Sequence, residues 1–325
     1  MIKTTKKYMY KVFGLRVLSE IQFPELPKIN EQEETIDVII RTADLFQKWS
    51  EFTNTEQNFV VDEKVVMICI PNTAIFSIQE GKQIIVSPME NTCEDKIRLY
   101  ILGTCMGALL MQRGILPLHG SAINIDGKVY AIVGDSGAGK STLAAAFLSR
   151  GYTLLSDDVI AVTVSPGKNA IVIPSYPQQK LWVESLNAFG MGTASYNPLF
   201  ERETKYAVPV QSHFFSEPLP LAGIIELTKT EDENVELIRI EGLERLRTLF
   251  FHTFRKFLIT QLELTEWHFI TSTSVINKVD MFHLKRPNDR FTAHELVSII
   301  LKTIHGGIMD DVYRENFSRV SDCAK

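Results

Sequence analysis

One segment limits what this chain can fold into more than any other. Gly134-Asp135-Ser136-Gly137-Ala138-Gly139-Lys140-Ser141 fits the pattern G-x-x-x-x-G-K-[ST]. The apolar stretch Val129–Val133 leads into it, and Thr142–Arg150 (TLAAAFLSR), rich in helix-forming Ala and Leu, leads out. Gly151 stands where a helix ends on a left-handed residue. Strand, loop and helix in this order predict an α/β fold with a phosphate-binding loop. Glycines let the backbone turn tightly, so that several N–H groups point at phosphate oxygens, and the helix N-terminus adds partial positive charge. Lys140 can then reach the β- and γ-phosphates, and the Ser141 hydroxyl can hold Mg²⁺. A glycine-rich turn that merely joins strand to helix is the bland alternative, but such a turn has no need of the adjacent Lys-Ser.

Soon after comes Leu154-Leu155-Ser156-Asp157-Asp158-Val159-Ile160-Ala161-Val162, an apolar stretch interrupted by two carboxylates. Neighbouring strand residues face opposite sides, so both acids reach one ligand only if the chain bends there, as at a strand end. One carboxylate near a metal and one near an attacking hydroxyl would divide the work of phosphoryl transfer. A solvated acid pair at a turn is the competing reading. His119, in Leu116-Pro117-Leu118-His119-Gly120-Ser121, lies beside apolar residues. On local grounds it reads as a satisfied core histidine. The other histidines show no H-x-x-x-H or H-E-x-x-H spacing, which argues against a zinc site.

The rest of the chain frames these motifs. At 325 residues it is long enough for two domains of about 150 residues each. Residues 1–90 read as β segments, among them Val38–Ile40, Val65–Ile70, Ala74–Ile78 and Ile84–Val86, with a short helix over Asp44–Trp49. They contain no titratable cluster and read as a β-rich accessory or recognition domain before a catalytic part, 91–325. Glu94–Gln112 is helical in pattern and ends at Gly114. Its apolar run Leu99–Met111 is shorter than the about 20 residues of a membrane span, so it reads as a buried helix. Ala122–Ile125 and Lys128–Val133 flank Asp126-Gly127, a hairpin signal. Leu221–Leu227 and Val235–Ile240 suggest a second hairpin. Glu241–Ile259 has helical spacing, and Val279–Leu284 reads as a strand. Thr292–Ile304 reads as a final helix with Thr292 as N-cap and Glu295 three residues on. The tail after Gly306-Gly307 is polar and reads as mobile.

Charge and cysteine content exclude several classes. Lys+Arg 34 against Asp+Glu 39 gives a net charge of −5, which argues against a general nucleic-acid binder. Four cysteines, Cys69, Cys93, Cys105 and Cys323, form no C-x-x-C pair and read as reduced thiols of a cytoplasmic protein. The start, MIKTTKKYMYKVFG, lacks the apolar region of a signal peptide.

Taken together, LHGSAINIDGKVYAIVGDSGAGKSTLAAAFLSRGYTLLSDDVIAV resembles the catalytic core of the HPr kinase/phosphorylase family: a His-Gly pair, a hairpin, a phosphate loop and an Asp-Asp pair after the next helix. The wider layout is similar to the HPr-kinase-like enzymes of peptide natural-product clusters, especially lasso-peptide tailoring kinases. That likeness rests on YKVFGLRVLSE, RLYILGTCMGALLMQRGILPLHGSA and IPSYPQQKLW, and more weakly on FFSEPLPLAGIIEL and FHLKRP. The resemblance implies a mixed α/β (α+β) catalytic domain with a mixed sheet. It implies ATP and Mg²⁺ as cofactors and the C-terminal serine of a precursor peptide as acceptor, with no nucleic acid and no membrane. Gly134, Asp135, Ser136, Gly137, Ala138, Gly139, Lys140, Ser141 and Thr142 would bind the nucleotide. Asp157 would accept the hydroxyl proton, and Asp158 would join Ser141 at the metal. His119 would assist beside Lys140, reversing its local reading, and Lys180 and Arg286 are further candidates for contacting phosphate or substrate. HPr kinases form hexamers, but no interface is readable here, and a homo-oligomer stays an open alternative.

One departure stands out. The family's L-E-I-R-G-x-G run, with its metal-associated Glu, is absent; the corresponding stretch reads PSYPQQKLWVESLNAFG. That departure supports a changed acceptor. The expected activity is an ATP-dependent serine kinase acting on a short peptide. HPr or free serine is the alternative acceptor, and a non-catalytic nucleotide-gated binding protein is the alternative of another class. No LSGGQ-like run supports an ABC-type ATPase.

Overall fold

The computed structural model describes residues 6–29, 35–52, 58–164, 169–199 and 202–306; the predicted mobile tail and Cys323 lie outside them. In chain order the elements begin β1 (Tyr8–Val12), β2 (Leu15–Ser19), β3 (Val38–Thr42), α1 (Phe46–Phe52), β4 (Phe59–Asp62), β5 (Val65–Ile70), β6 (Ala74–Gln79) and β7 (Gln83–Pro88). These strands form a seven-stranded mixed sheet in the order β1-β2-β3-β7-β6-β5-β4. The central strands are apolar on both faces. Val66, Ile68, Phe76, Ile78, Ile84 and Val86 face one core, while Met67, Ile75 and Ile85 face a smaller one with Leu45. That explains why they read as continuous apolar runs rather than alternating ones.

A helical stretch follows: α2 (Glu94–Tyr100), a π-helical turn at Ile101–Cys105 and α3 (Met106–Gln112), which ends at Gly114 with a left-handed φ of +69°.

 Gly14, at φ +71°, turns the chain between β1 and β2. Almost every residue from Ile101 to Met111 is buried, because the helix lies between the first sheet and the second. No helix among the described residues is long and apolar enough to cross a membrane.

The chain continues through β8 (Leu116–Ile125), β9 (Lys128–Val133), α4 (Lys140–Leu148), β10 (Thr153–Val164), β11 (Ala170–Ile173), β12 (Gln178–Trp182), α5 (Val183–Ala188), β13 (Asn197–Leu199) and β14 (Arg202–Pro209). It ends with β15 (Leu219–Thr230), β16 (Glu236–Arg239), α6 (Glu244–His252), α7 (Phe257–Gln261), α8 (Thr265–Ile276), β17 (Asp280–Pro287) and α9 (Ala293–His305). A second mixed sheet runs β11-β10-β8-β9-β15-β17-β16, and β12-β14-β13 form a small third one. The predicted hairpin at Asp126-Gly127 is present, with both residues at positive φ. The α/β class with mixed sheets is thus what the chain adopts.

Several expectations are corrected. β15 and β16 are not a hairpin: β17 lies between them, parallel to β15 and antiparallel to β16. Met281 and Leu284 of β17 are fully buried, whereas β16 exposes Ile238, so the more apolar strand takes the inner place. The helix over Glu241–Ile259 is broken at Thr253–Lys256. There the Phe254 N–H donates to the Pro117 carbonyl (2.8 Å) and Arg255 takes φ +52°. A tertiary hydrogen bond outweighs helix propensity at that point. The short helix predicted at Asp44–Trp49 begins at Phe46. Thr292 precedes α9 but makes no side-chain cap, and Glu295 pairs instead with Arg290.

Gly120 has no room for a side chain, since a Cβ there would sit 2.1 Å from the Ile132 carbonyl oxygen. Gly120→Ala must move backbone between paired strands. The expected loss is above about 3 kcal/mol, read by chemical denaturation.

Candidate functional site

The loop between β9 and α4 returns on itself. A Cβ on Gly134 would lie 2.4 Å from the Leu227 carbonyl oxygen, and Gly139 takes φ +106° at the helix start, so both positions require glycine. The Lys140 ammonium donates to the Gly134 and Asp135 carbonyls (2.8 and 2.9 Å). Burial lowers its pKa, against the pull of Asp157 and Asp158. Arg286, from β17, donates through Nε to the Ala138 carbonyl (2.8 Å) and lies against Gly139. Thr142 bonds to Ser185 of α5 (2.7 Å). Asp135, Ser136 and Gly137 are exposed at the loop's crest.

The acid pair does not stand at a strand end, as the sequence pattern led one to expect. It lies within β10, which continues through it. Two irregularities supply the bend instead: a bulge between Leu154 and Ser156, and Asp158 at φ +83°. The Ser156 hydroxyl bonds to the Val159 carbonyl across this kink. Strand alternation is thereby broken, and both carboxylates line one cavity with the loop. A left-handed aspartate is tolerated at a cost of order 1 kcal/mol, and such residues concentrate at functional sites.

The two acids have different partners. Asp157 is 4% exposed. Its Oδ1 accepts from Ser121 Oγ (2.5 Å) and Ser141 Oγ (3.0 Å), and its Oδ2 accepts from the Lys180 backbone N–H (2.8 Å). Asp158, with its side chain 24% exposed, meets the Lys180 ammonium at 2.5 Å. Burial opposes its charge, but Lys180 and then His119 overcome that and hold the carboxyl well below the usual range. Lys180 is likewise penalised by burial, yet Asp158 raises it above the ordinary lysine value. His119, across the strands on β8, contacts the Asp158 carbonyl through Nδ1 (3.0 Å) and approaches its Oδ1 at 3.5 Å. A carbonyl only accepts, so Nδ1 carries the proton and Nε2 is left as an acceptor. Burial lowers the His119 pKa, which keeps the ring neutral at pH 7.

All the residues singled out from the sequence therefore meet around one cavity of about 920 Å³ or brace its loop. Sequence reasoning missed four others. Ser121 faces Asp157 only through strand register. Gly103, in the π-helical turn, brings backbone toward Asp158, whose Oδ2 would be 3.8 Å from a Cβ there. His252, bonded to Glu226 at 2.7 Å, lines the cavity, and that bond lowers the Glu226 pKa. Arg255 donates to Thr104 (2.9 Å) beside the same turn.

For a divalent ion the donors are the Ser141 hydroxyl and the Asp157 carboxylate. Among the described residues no group of three or more His, Cys, Asp or Glu could hold a metal. A hydroxyl and one carboxylate, completed by phosphate oxygens and water, suit Mg²⁺, which rarely uses an all-protein cage. Cys69, Cys93 and Cys105 are unpaired thiols, and burial pushes that of Cys105 far up.

No protein-family model matches the chain. Curated relatives do. The chain is 32% identical over 127 residues to the HPr kinase/phosphorylase of Limosilactobacillus reuteri, covering 33% of this chain and 39% of that protein. It is 36% identical over 70 residues to that of Mycoplasmopsis pulmonis, covering 21% and 23%. It is 33% identical over 118 residues to that of Burkholderia lata, covering 36% and 34%. The chain thus spans under two-fifths of the length of the curated relatives it matches. Among solved structures, the HPr(Ser) kinase/phosphatase of Coxiella burnetii aligns over 57% of this chain and 93% of that one, at 14% identity and a TM-score of 0.31.

Proposed function

We propose that this chain is an ATP-dependent serine kinase whose acceptor is a short peptide, namely the C-terminal serine of a lasso-type precursor. The observation that carries the reading is the convergence of Lys140, Ser141, Asp157, Asp158 and His119 on one cavity. A binding protein needs the loop but not a second carboxylate open to an incoming hydroxyl.

The distances favour a division of labour opposite to the one implied by resemblance. Asp157 bonds to Ser141 and is enclosed, which suits the metal side. Asp158 is the more exposed acid and suits the acceptor. In the reaction the acceptor O–H loses its proton to the Asp158 carboxylate. A P–O bond to the acceptor forms as the bond from the γ-phosphorus to the β,γ-bridging oxygen breaks, and ADP leaves. An acid of depressed pKa is a weak base, but a loose transition state asks mainly that the hydroxyl be oriented. Lys140 must leave its loop carbonyls for the phosphate oxygens, and the loop N–H groups hold those oxygens in place. Mg²⁺, when bound, supplies charge neutralisation at the β- and γ-phosphates. Residues 1–90 serve as the accessory unit, and the helix that follows them walls the acceptor side.

The test is to incubate the protein with ATP, Mg²⁺ and serine-ended peptides, with HPr and free serine as comparison acceptors, and to weigh the products by mass spectrometry. One added phosphate on the terminal serine supports the reading, and transfer only to HPr or to free serine overturns the peptide acceptor. Lys140→Met is expected to lower transfer by at least roughly 10²–10³-fold and to weaken ATP binding. Full activity in that variant would remove the phosphate-loop argument.

A further inference from the structure

Two parts of the cavity lining concern the two substrates of the kinase reading. One surrounds the loop, with Lys140 and Arg286. The other lies around His119 and Asp158. There Phe254 packs on the His119 ring at 5.8 Å and fills the space that a side chain at Gly107 would need. Arg255 bonds to Thr104, and Phe257 meets Phe59 of the first sheet edge-on at 4.9 Å. The segment Thr253–Phe257 thus straps the acceptor side to the π-helical turn and the first sheet.

Charge is uneven across this second group. Asp158 is already neutralised by Lys180. Arg255 and Lys256 add two positive charges, and among the described residues neither has a carboxylate within ion-pair distance. Lys256 sits 3.9 Å over the Phe251 ring, and Arg255 lies near the Phe254 ring at 5.7 Å. Phe251 is 51% exposed, an aromatic face turned to solvent at the cavity wall. In the kinase reading the nucleotide phosphates fall to Lys140 and the loop, which leaves Arg255 and Lys256 for another anion. Two cations on aromatic faces, in a protein of net charge −5, supply the chemistry that would hold an anion carrying apolar surface.

Resting on the kinase reading, we propose that Phe251 and the Thr253–Phe257 strap form an acceptor subsite for a peptide with a carboxylate close to the phosphorylated hydroxyl and an apolar side chain beside it. Lys256 pairs with the carboxylate, Arg255 adds to the field, and Phe251 and Phe254 hold the apolar side chain. The carboxylate has two sources, a chain terminus or an acidic side chain.

The test measures binding by fluorescence anisotropy with ADP and Mg²⁺ present, and phosphate transfer with ATP. The probes are four serine peptides: a free terminal acid, its amide, the amide with an adjacent Asp, and the amide with an adjacent Lys. The free acid is expected to bind about tenfold tighter than the amide, which is one charge-assisted contact. If Asp restores affinity to the amide, side-chain carboxylates are accepted; if not, the terminus is the source. Lys256→Glu is expected to reverse the order, favouring the Lys peptide, which a merely structural residue would not do. Equal binding of acid, amide and Lys peptides overturns the subsite, and so does an unchanged preference in Lys256→Glu. Transfer without carboxylate preference removes the subsite and leaves the kinase reading. Preference without any transfer removes the kinase reading and leaves the subsite.

Discussion

Asp158→Asn is expected to lower phosphate transfer by about 10²–10⁴-fold, the usual contribution of a positioned proton acceptor. Nucleotide affinity should stay largely intact, because Ser141 bonds to Asp157 and not to Asp158. Asp157→Asn should behave differently. It disturbs the oxygen that receives both Ser121 and Ser141, so metal–nucleotide binding weakens along with transfer. Stopped-turnover kinetics and nucleotide titration on both variants separate the two roles. If Asp157→Asn alone abolishes transfer with affinity unchanged, the assignment implied by resemblance holds instead. His119→Ala, which removes the ring whose Nδ1 lies against Asp158, tests whether that ring shares the proton.

Lys180→Met is expected to destabilise the fold by about 3–5 kcal/mol, since it strands the Asp158 carboxylate without its counter-ion. The Lys180 side chain is 7% exposed, so little water can take the place of that ion. Asp158→Leu in the same chain should recover much of the loss, because removing both partners of a buried pair is far cheaper than removing one. The double variant would be folded and inactive, which separates stability from chemistry. Denaturation at several pH values adds a check. Asp158 is depressed in the fold, so its contribution is present above the ordinary aspartate pKa and fades as pH falls through the lowered value. Lys180 is raised, so its contribution is complete below the ordinary lysine pKa and fades only as pH rises through the higher one. The loss in Lys180→Met should therefore be flat between pH 6 and pH 8. A steep slope there would show that the pair is not ionised as drawn.

What the sequence made legible was local. The phosphate loop, the Asp126-Gly127 hairpin, the strands between Val38 and Val86 and the buried helix all follow from spacing within a few residues. Lys180 could be nominated only through resemblance, because its meeting with Asp158 depends on where β12 packs. Ser121 reaches Asp157 through register between β8 and β10, and register is fixed by the whole sheet. The bend at Asp158 lies inside β10 rather than at a strand end. Nothing in the tripeptide Ser-Asp-Asp announces a left-handed residue inside a continuing strand. The helix break at Thr253–Lys256 is hidden by good helix formers on both sides; there the Phe254 N–H bonds to the Pro117 carbonyl.

The π-helical turn at Ile101–Cys105 has a geometric consequence for the molecule as a machine part. A π turn is an α-helix with one residue inserted, and one residue corresponds to about 100° of rotation. The rod between the two sheets is therefore offset at that single insertion: Tyr100 of α2 meets Phe76 of the first sheet, while α3 packs on β8 of the second and its Gln112 still bonds to Gly81, Lys64 and Ile78 of the first. Gly103 falls in that turn, and Asp158 beside it. Rotation of one sheet against the other would move the backbone that lies against Asp158, the acid that the kinase reading assigns to the acceptor.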